Sequence, residues 1–226
     1  MALGHAELNA DGAMTLLAQS DITVLAGRMN ADTIVAQAGF GNEDAKDADI
    51  NILGDTETIA LHQENRRHGL SLGFSDNFLS VAKETASENR TIQTEYIGSI
   101  FTATETMALS ASRDINVVGS ELHAGNNLLL DAGRDINVTT GEGRGSSYSH
   151  HSESRTGIAI SADSNTLSVF AGDDTQKEAL TSDSIRQTGS VLSAGNTVQL
   201  NAGNNLLLSG SDVVAGQDIR LSAVNN

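Results

Sequence analysis

Short runs of alternating apolar and polar residues recur along the chain, and each run ends at Gly, Ala or Asn. Ile115 and Val117 stand two positions apart, as do Leu128 and Leu130, which places each pair on one face of an extended strand. Runs of about four or five residues are too short to be stable alone. The pattern therefore predicts an all-β protein made of many short strands joined by tight corners.

These strands repeat every 21 residues. Gly98–Ala103 aligns with Gly119–Ala124, and Ala111–Val117 aligns with Ala132–Val138. A second block with the same period lies 91 residues further on, and Met14–Val24 is a less regular early copy. Ala48–Ile52 supplies one more strand of this type, whereas residues 25–48 do not fit the period. Three strands in each repeat leave no room for a helix, so we expect a right-handed parallel β-helix, or solenoid, whose coils stack and hydrogen-bond to each other.

Gly and Ala mark the predicted corners of the coil. Gly accepts positive φ at little cost, and the small Ala allows the chain to turn inward. The predicted corner residues are Gly98, Ala103, Ala111, Gly119, Ala124, Gly125, Ala132, Gly133, Gly189, Ala194, Gly195, Ala202, Gly203, Gly210, Ala215 and Gly216.

Stacking by 21 residues places like residues above one another. The expected ladders include Ile115 under Ile136, Val117 under Val138, Leu200 under Leu221, Asn116 under Asn137, Asn204 under Asn225, and Asp114 under Asp135. The apolar ladders would fill the core, and the Asn ladders can exchange amide hydrogen bonds. We expect the Asp stack to face solvent, offset by Arg113 and Arg134, with a bound cation as the minor alternative.

Two segments interrupt the period. The chain divides into coils 1–52, a first excursion 53–97, coils 98–138, a second excursion 139–188 and coils 189–226, all expected in one continuous domain. Only Val118 separates Val117 from Gly119 in the uninterrupted coil, so both excursions leave and return at the same corner. Their exits should lie about 10 Å apart on one edge. Each excursion contains a strand, a turn and a second strand, which predicts two β-hairpins that lie side by side against one face of the solenoid.

Composition excludes several classes of protein. The 226 residues include no Cys, Pro or Trp, and the formal net charge is −16. Without Cys there is no disulfide scaffold or thiolate metal site, and an acidic, aromatic-poor chain is a poor nucleic-acid binder. The first residues lack the features of a signal peptide, so we expect an internal piece of a larger protein. The lack of Pro suits strands that must all donate to a neighbouring coil.

The candidate interaction surface consists of a few residues in the excursions and on the coils. They are Arg66, Arg67, His68, Tyr148, His150, His151, Leu129 and Leu207. Arg66 to His68 form a local basic spot that could contact phosphate or glycan. The adjacent His150 and His151 would point to opposite sides of a strand, so neither a metal site nor a catalytic site is predicted. Leu129 and Leu207 are expected at equivalent outward places, covered by a hairpin or by a partner.

The residues of the coil carry a family resemblance. The pattern Gly-Ser-x-x-x-Ala-Gly-x-x-Leu-x-Leu-x-Ala-Gly-x-Asp-Ile-x-Val, interrupted by polar segments of about 50 residues, resembles the haemagglutinin repeat of filamentous-haemagglutinin-type exoproteins. In layout it is most similar to the second repeat region of CdiA-type contact-dependent growth-inhibition effectors. The resemblance covers almost the whole chain and is strongest in 98–138 and 188–226.

The resemblance implies a non-catalytic segment of a secreted, cell-surface filament that needs no cofactor. Such proteins leave the cell through an outer-membrane secretion partner, and a chain without Cys suits this export. Neighbouring β-helix repeats of the same chain would pack on this segment. In the growth-inhibition members, this region is implied to engage the target cell's outer membrane and help deliver a C-terminal toxin. The alternative is an adhesin stalk, and a β-helical polysaccharide-active enzyme is the third candidate.

Overall fold

The computed structural model describes residues 1–41, 47–75, 77–163 and 165–225, and its regular elements are all β-strands, as the alternating pattern predicts. The first two coils contain β1 (Ala2–Gly4), β2 (Glu7–Asn9), β3 (Ala13–Ala18), β4 (Ile22–Leu25), β5 (Arg28–Ala31) and β6 (Thr33–Ala38). The third coil contains β7 (Ile50–Leu53), then the hairpin β8 (Asp55–Ser75) and β9 (Phe78–Ile97), then β10 (Ile100–Ala103) and β11 (Thr106–Ala111). The fourth contains β12 (Ile115–Val118), β13 (Glu121–Ala124) and β14 (Asn127–Ala132). The fifth contains β15 (Ile136–Thr139), the hairpin β16 (Gly141–Asp163) and β17 (Thr166–Thr188), then β18 (Val191–Ala194) and β19 (Thr197–Ala202). The sixth contains β20 (Leu206–Leu208), β21 (Asp212–Ala215) and β22 (Asp218–Ala223).

Each coil contributes one strand to each of three parallel sheets. Sheet A has the order β1-β4-β7-β12-β15-β20, sheet B has β2-β5-β10-β13-β18-β21, and sheet C has β3-β6-β11-β14-β19-β22. The predicted ladders are confirmed, since Ile115 pairs with Ile136 and Asn116 with Asn137. Inward side chains such as Phe101, Leu122 and Leu192 stack into one continuous apolar core.

The second coil explains why residues 25–48 did not fit the period. Only Asp32 separates β5 from β6, whereas residues 104–105 make the equivalent connection in the third coil. Residues 39–49 then connect β6 to β7, whereas residues 112–114 suffice in the next coil. One shortened and one lengthened corner shift the phase, yet Ile34 still stacks on Met107.

The corner glycines are needed mainly because two backbones approach closely there, and less for the positive φ that was expected. Of the predicted set, only Gly119 (φ 51°) and Gly210 (φ 57°) have positive φ. At the others, a Cβ atom would collide with the backbone of the adjacent coil. A Cβ atom at Gly125 would lie 1.9 Å from the carbonyl oxygen of Thr104, and one at Gly133 would lie 2.2 Å from the carbonyl oxygen of Ser112. Coil stacking brings two backbones together at these corners, and only Gly permits that approach.

The expectation of a solvent-facing Asp ladder is wrong. Asp49 and Asp114 are only 7% and 6% exposed. Arg113 reaches back one coil and donates from Nε to Asp49 at 2.7 Å, and Arg134 does the same to Asp114 at 2.8 Å. The backbone N–H of each following Asp also donates to the carboxylate of the preceding coil, as in Asp114 N to Asp49 Oδ1 at 3.1 Å. The stack is therefore an alternating ion-pair ladder rather than a row of like charges, in which Asp49 and Asp114 are buried, Asp135 is partly buried and the Arg side chains are more exposed.

Contacts divide the chain into two compact units. The solenoid unit comprises Met1–Glu57, Glu95–Gly143 and Ile185–Asn226, and the hairpin unit comprises Thr58–Thr94 and Arg144–Ser184. In the hairpin unit the two predicted hairpins do lie side by side, in one antiparallel sheet with the order β17-β16-β9-β8. The register between β16 and β9 shifts once, between Thr156 and Gly157. Asp76 and Ser164, predicted in the two turns, lie outside the described residues.

Candidate functional site

Both hairpins leave the solenoid at the corner between sheet A and sheet B. The first follows β7 and returns to β10, and the second follows β15 and returns to β18. Strand β12 lies between β7 and β15 in sheet A, so two strand spacings separate the two exits. In the intervening fourth coil the same corner is closed by Gly119 and Ser120 alone. This corner, rather than any cavity, is what distinguishes the chain from a plain solenoid.

A buried serine closes this corner whether or not a hairpin is inserted. Ser120 Oγ donates to the carbonyl oxygen of Val118 at 2.8 Å, in the coil without an insertion. Ser99 Oγ donates to Leu53 at 2.6 Å across the first hairpin. Ser190 Oγ donates to Thr139 at 2.7 Å across the second. The three serines are at most 1% exposed, and each accepts a backbone N–H of a neighbouring coil: Gly27 N to Ser99 at 3.1 Å, Ser99 N to Ser120 at 3.0 Å, and Ser120 N to Ser190 at 3.2 Å.

Tyr96 joins the bases of the two hairpins, a role that the sequence analysis missed. Its hydroxyl accepts the N–H of Gly54 at 2.6 Å and donates to the carbonyl oxygen of Val118 at 3.0 Å. Its ring lies against three glycines, so close that a Cβ atom at Gly54, Gly119 or Gly141 would fall within 2.5 Å of it. Burial raises the pKa of the Tyr96 phenol, so this group stays neutral and can donate. The signal in the sequence is that Gly54 and Gly141 each begin an excursion.

The hairpin sheet has two different faces, which the contacts define. Glu84 is the partner of Ser154, and His68 and Arg66 both approach Glu84 from β8. Ser154 contacts Thr175 at 3.1 Å. Because neighbours across strands share a face, these residues and those two positions away along each strand form one face, called here the front face. In β9 the alternation shifts by one residue at the irregularity opposite Thr156 and Gly157, so Leu79, which pairs with Ile158, continues this face. The opposite side is the back face.

Near the turns, the front face is apolar and exposed. Ile158 is paired with Leu79 and lies two positions from Ile160, and the β16–β17 register places Ile160 beside Val169. The front-face patch consists of Leu70, Leu72, Leu79, Ile158, Ile160, Leu167 and Val169, exposed by 40% to 95%. It spans all four strands, so it is a continuous surface rather than scattered single residues.

The candidate basic spot is split between the two faces. Arg66 and His68 lie on the front face directly beside the patch, where His68 Nδ1 is 3.5 Å from Glu84. Arg67 lies on the back face, where it and His151 line a shallow hollow. Tyr148 and His150 lie on the front face further from the turns, with stacked rings whose centroids are 6.4 Å apart.

The back face carries a small charged cluster instead of an apolar patch. Lys83 Nζ lies 2.9 Å from Glu153, and Arg155 Nε donates to the same carboxylate at 2.7 Å. Hydrogen bonds from Lys83 and Arg155 lower the pKa of Glu153. Nearer the turns the back face is mixed: Gly157 pairs with Ser80, whereas Phe78 pairs with Ala159 and Phe170 is 63% exposed.

Leu129 and Leu207 do not occupy equivalent places, contrary to expectation. Leu129 lies in β14 of sheet C, paired with Ala108 and Gln199. Leu207 lies in β20 of sheet A, paired with Asn137 at the end of the Asn51-Asn116-Asn137 ladder. The two Leu-Leu-Leu triplets look alike but fall in different strands of the coil, so they do not form one apolar spot.

No constellation for catalysis or metal binding occurs in the parts of the chain that the structure describes. Within 1–41, 47–75, 77–163 and 165–225, no group of three His, Asp or Glu side chains is placed to hold a metal ion. The same ranges contain no helix long and apolar enough to cross a membrane. The chemical features that the site does offer are an exposed aliphatic surface and the charged groups beside it.

Comparisons with known proteins agree with these observations. A family model described as Hemagglutinin repeat matches residues 79–226, more than half of the chain. Two proteins named tRNA nuclease CdiA, from Escherichia coli O6:K15:H31 (strain 536 / UPEC) and Escherichia coli (strain NC101), are each 58% identical over 41 residues. Those residues are 18% of this chain, and the match covers 1% of the length of each relative. No solved structure matches the chain significantly.

Proposed function

Because this chain belongs to the haemagglutinin repeat family, we propose that it is a non-catalytic segment of a large secreted exoprotein that contacts the outer membrane of a target cell during toxin delivery. Regions of this family are typically non-catalytic, and filamentous-haemagglutinin and CdiA proteins are secreted exoproteins. The kinship to CdiA supports the delivery role. We also propose that this exoprotein leaves its own cell through an outer-membrane secretion partner.

The observation that carries the proposal is the exposed front-face patch of the hairpin sheet. In a solenoid that served only as a spacer, polar insertions would be sufficient. Here the two hairpins together expose Leu70, Leu72 and five further aliphatic residues to solvent. Exposing such a continuous apolar surface is unfavourable unless another apolar phase covers it.

The last coil supports the expected contact with neighbouring repeats. Leu206, Leu208 and Leu221 line an open apolar hollow of about 260 Å³ beside the final strands of sheets A and C. A further coil of the same kind would cover this hollow and pair with those strands.

An adhesin stalk is the second candidate, and deleting the hairpins distinguishes it from a delivery segment. Removing residues 54–97 and 140–188 from the parent exoprotein joins Leu53 and Thr139 to the Gly-Ser pairs at 98–99 and 189–190, which reproduces the uninterrupted corner. The proposal predicts that target-cell killing is lost while cell adhesion persists. Intact killing combined with lost adhesion would instead establish the adhesin role.

A further inference from the structure

The geometry points to the front face, and not the back face, of the hairpin sheet as the surface that rests on a lipid bilayer, with the front-face patch in the hydrocarbon boundary and Arg66 at the phosphate level. This inference rests on the proposed function and specifies the partner: a phospholipid surface bearing anionic phosphate. It also specifies the orientation of the sheet on that surface.

The chemistry of the patch favours lipid over a protein partner. All seven residues of the patch are Leu, Ile or Val, and three of them, Leu70, Leu72 and Leu167, are at least 69% exposed. Protein interfaces concentrate their binding energy in Trp, Tyr and Arg anchors, whereas Leu and Val are under-represented there. Among the side chains that the structure describes, the patch is aliphatic throughout, and such a surface matches acyl chains better than a shaped protein pocket.

The hairpin unit opposes an anionic surface less than the solenoid unit does. The hairpin unit holds seven of the 13 Lys and Arg residues but only ten of the 29 acidic ones. The strong negative charge of the chain therefore lies mainly in the solenoid unit. Arg66 and His68 stand on the same face as the patch, where Glu84 lies 3.9 Å from Arg66 and 3.5 Å from His68. Glu64 lies 3.9 Å from Arg66 as well. Each basic residue near an anionic membrane surface adds about 1 kcal/mol to binding.

The open edges of the sheet determine how it can lie. Strands β8 and β17 are the outer strands of the four-stranded sheet, and each has one side without a strand partner in that sheet. Unpaired backbone groups cannot enter hydrocarbon without a large cost. The sheet therefore lies flat with its front face on the bilayer, its edges remaining at the level of the headgroups and water.

The sequence offers a clean test, since the chain contains no Trp. Val169 and Phe170 are adjacent in β17, point to opposite faces and are similarly exposed, at 65% and 63%. The variants Val169→Trp and Phe170→Trp are therefore a matched pair of single fluorophores. Each is mixed with phosphatidylethanolamine–phosphatidylglycerol vesicles whose acyl chains carry bromine, which quenches only nearby indole rings.

We expect the vesicles to quench roughly half of the fluorescence of Val169→Trp and little of that of Phe170→Trp, since a surface-bound face enters only about 5–10 Å. Arg66→Gln should weaken vesicle binding about fivefold, whereas the back-face control Arg67→Gln should not. Binding with equal quenching of both Trp variants, or with stronger quenching of Phe170→Trp, would overturn the orientation but leave the proposed function in place. No binding of any variant would overturn the membrane contact itself. A lipid-free dimer that Val169→Ser dissociates would show that the patch is a protein interface, and would overturn the inference.

Discussion

Replacing Ser120 by Ala removes one hydroxyl from the middle of the serine ladder at the hairpin corner. The hydroxyl accepts the N–H of Ser99 at 3.0 Å and donates to the carbonyl oxygen of Val118 at 2.8 Å, and the residue is fully buried. The carbonyl of Val118 keeps its hydrogen bond from Tyr96, so the main loss is an acceptor for the Ser99 N–H. A buried donor left without an acceptor costs about 1–3 kcal/mol, so we expect the free energy of unfolding to fall by about 2 kcal/mol.

Ser211→Ala is the matched control for this substitution. Ser211 closes the same corner in the last coil by donating to Ser209 at 3.0 Å, but it is only half-buried and water can replace the bond. Its loss should change stability by no more than about 0.5 kcal/mol. Urea unfolding followed by circular dichroism measures the difference, and hydrogen exchange at Ser99 should accelerate only in Ser120→Ala. Equal effects of the two substitutions would refute the argument that the buried ladder stabilises the corner.

Three further perturbations test other parts of the structure. Tyr96→Phe should cost about 1–2 kcal/mol through the loss of two hydrogen bonds, measured by thermal unfolding, whereas Tyr148→Phe should change the melting temperature little. Gly125→Ala should cost about 3 kcal/mol because its Cβ would meet the backbone of the adjacent coil, whereas Gly12→Ala meets nothing within 4 Å; equal urea midpoints would contradict this. Burial raises the pKa of Asp135, but hydrogen bonds from the next coil outweigh it and lower the pKa below 3.8. A lowered carboxyl pKa stabilises the fold above the ordinary value and loses that effect as pH falls, so the destabilisation caused by Asp135→Asn should be present at neutral pH and shrink below about pH 4. A stability difference that is independent of pH would contradict it.

The regular coils could be predicted because their residues repeat one physical requirement. Ile115 and Ile136, or Asn116 and Asn137, are the same residue at the same place in successive coils, so the period alone gives their pairing. The common corner of the two hairpins followed from the same phase, since the short connection at Gly119 shows where a coil turns when nothing is inserted.

Other features depend on contacts between coils that the period does not encode. Asp114 is buried because Arg134 of the next coil reaches back to it. A carboxylate that would face solvent in a single coil is therefore covered when the coils stack. The role of Tyr96 depends on three glycines that are distant from it in the sequence. The positions of Leu129 and Leu207 were misjudged because similar triplets occur in different strands of the coil.

The front-face patch was only partly visible in the sequence. Alternation in 157–161 and 166–169 predicts strands with one apolar face, but not that all four strands turn that face the same way. That arrangement depends on the pairing of β9 with β16, two strands from separate excursions, and on its register shift at Thr156 and Gly157. Pairing between two inserted hairpins is set by their common exit corner and by local register, so it required the three-dimensional structure.

Sedimentation with outer-membrane vesicles tests most directly whether the hairpin sheet, rather than the solenoid, makes the membrane contact. The intact chain is compared with a chain lacking residues 54–97 and 140–188, in which each corner closes through Gly and Ser as in the fourth coil. Circular dichroism first establishes that the shortened chain retains its β structure. The intact chain should sediment with the vesicles, and the shortened chain should remain in the supernatant. Equal sedimentation of the two chains would contradict the central claim.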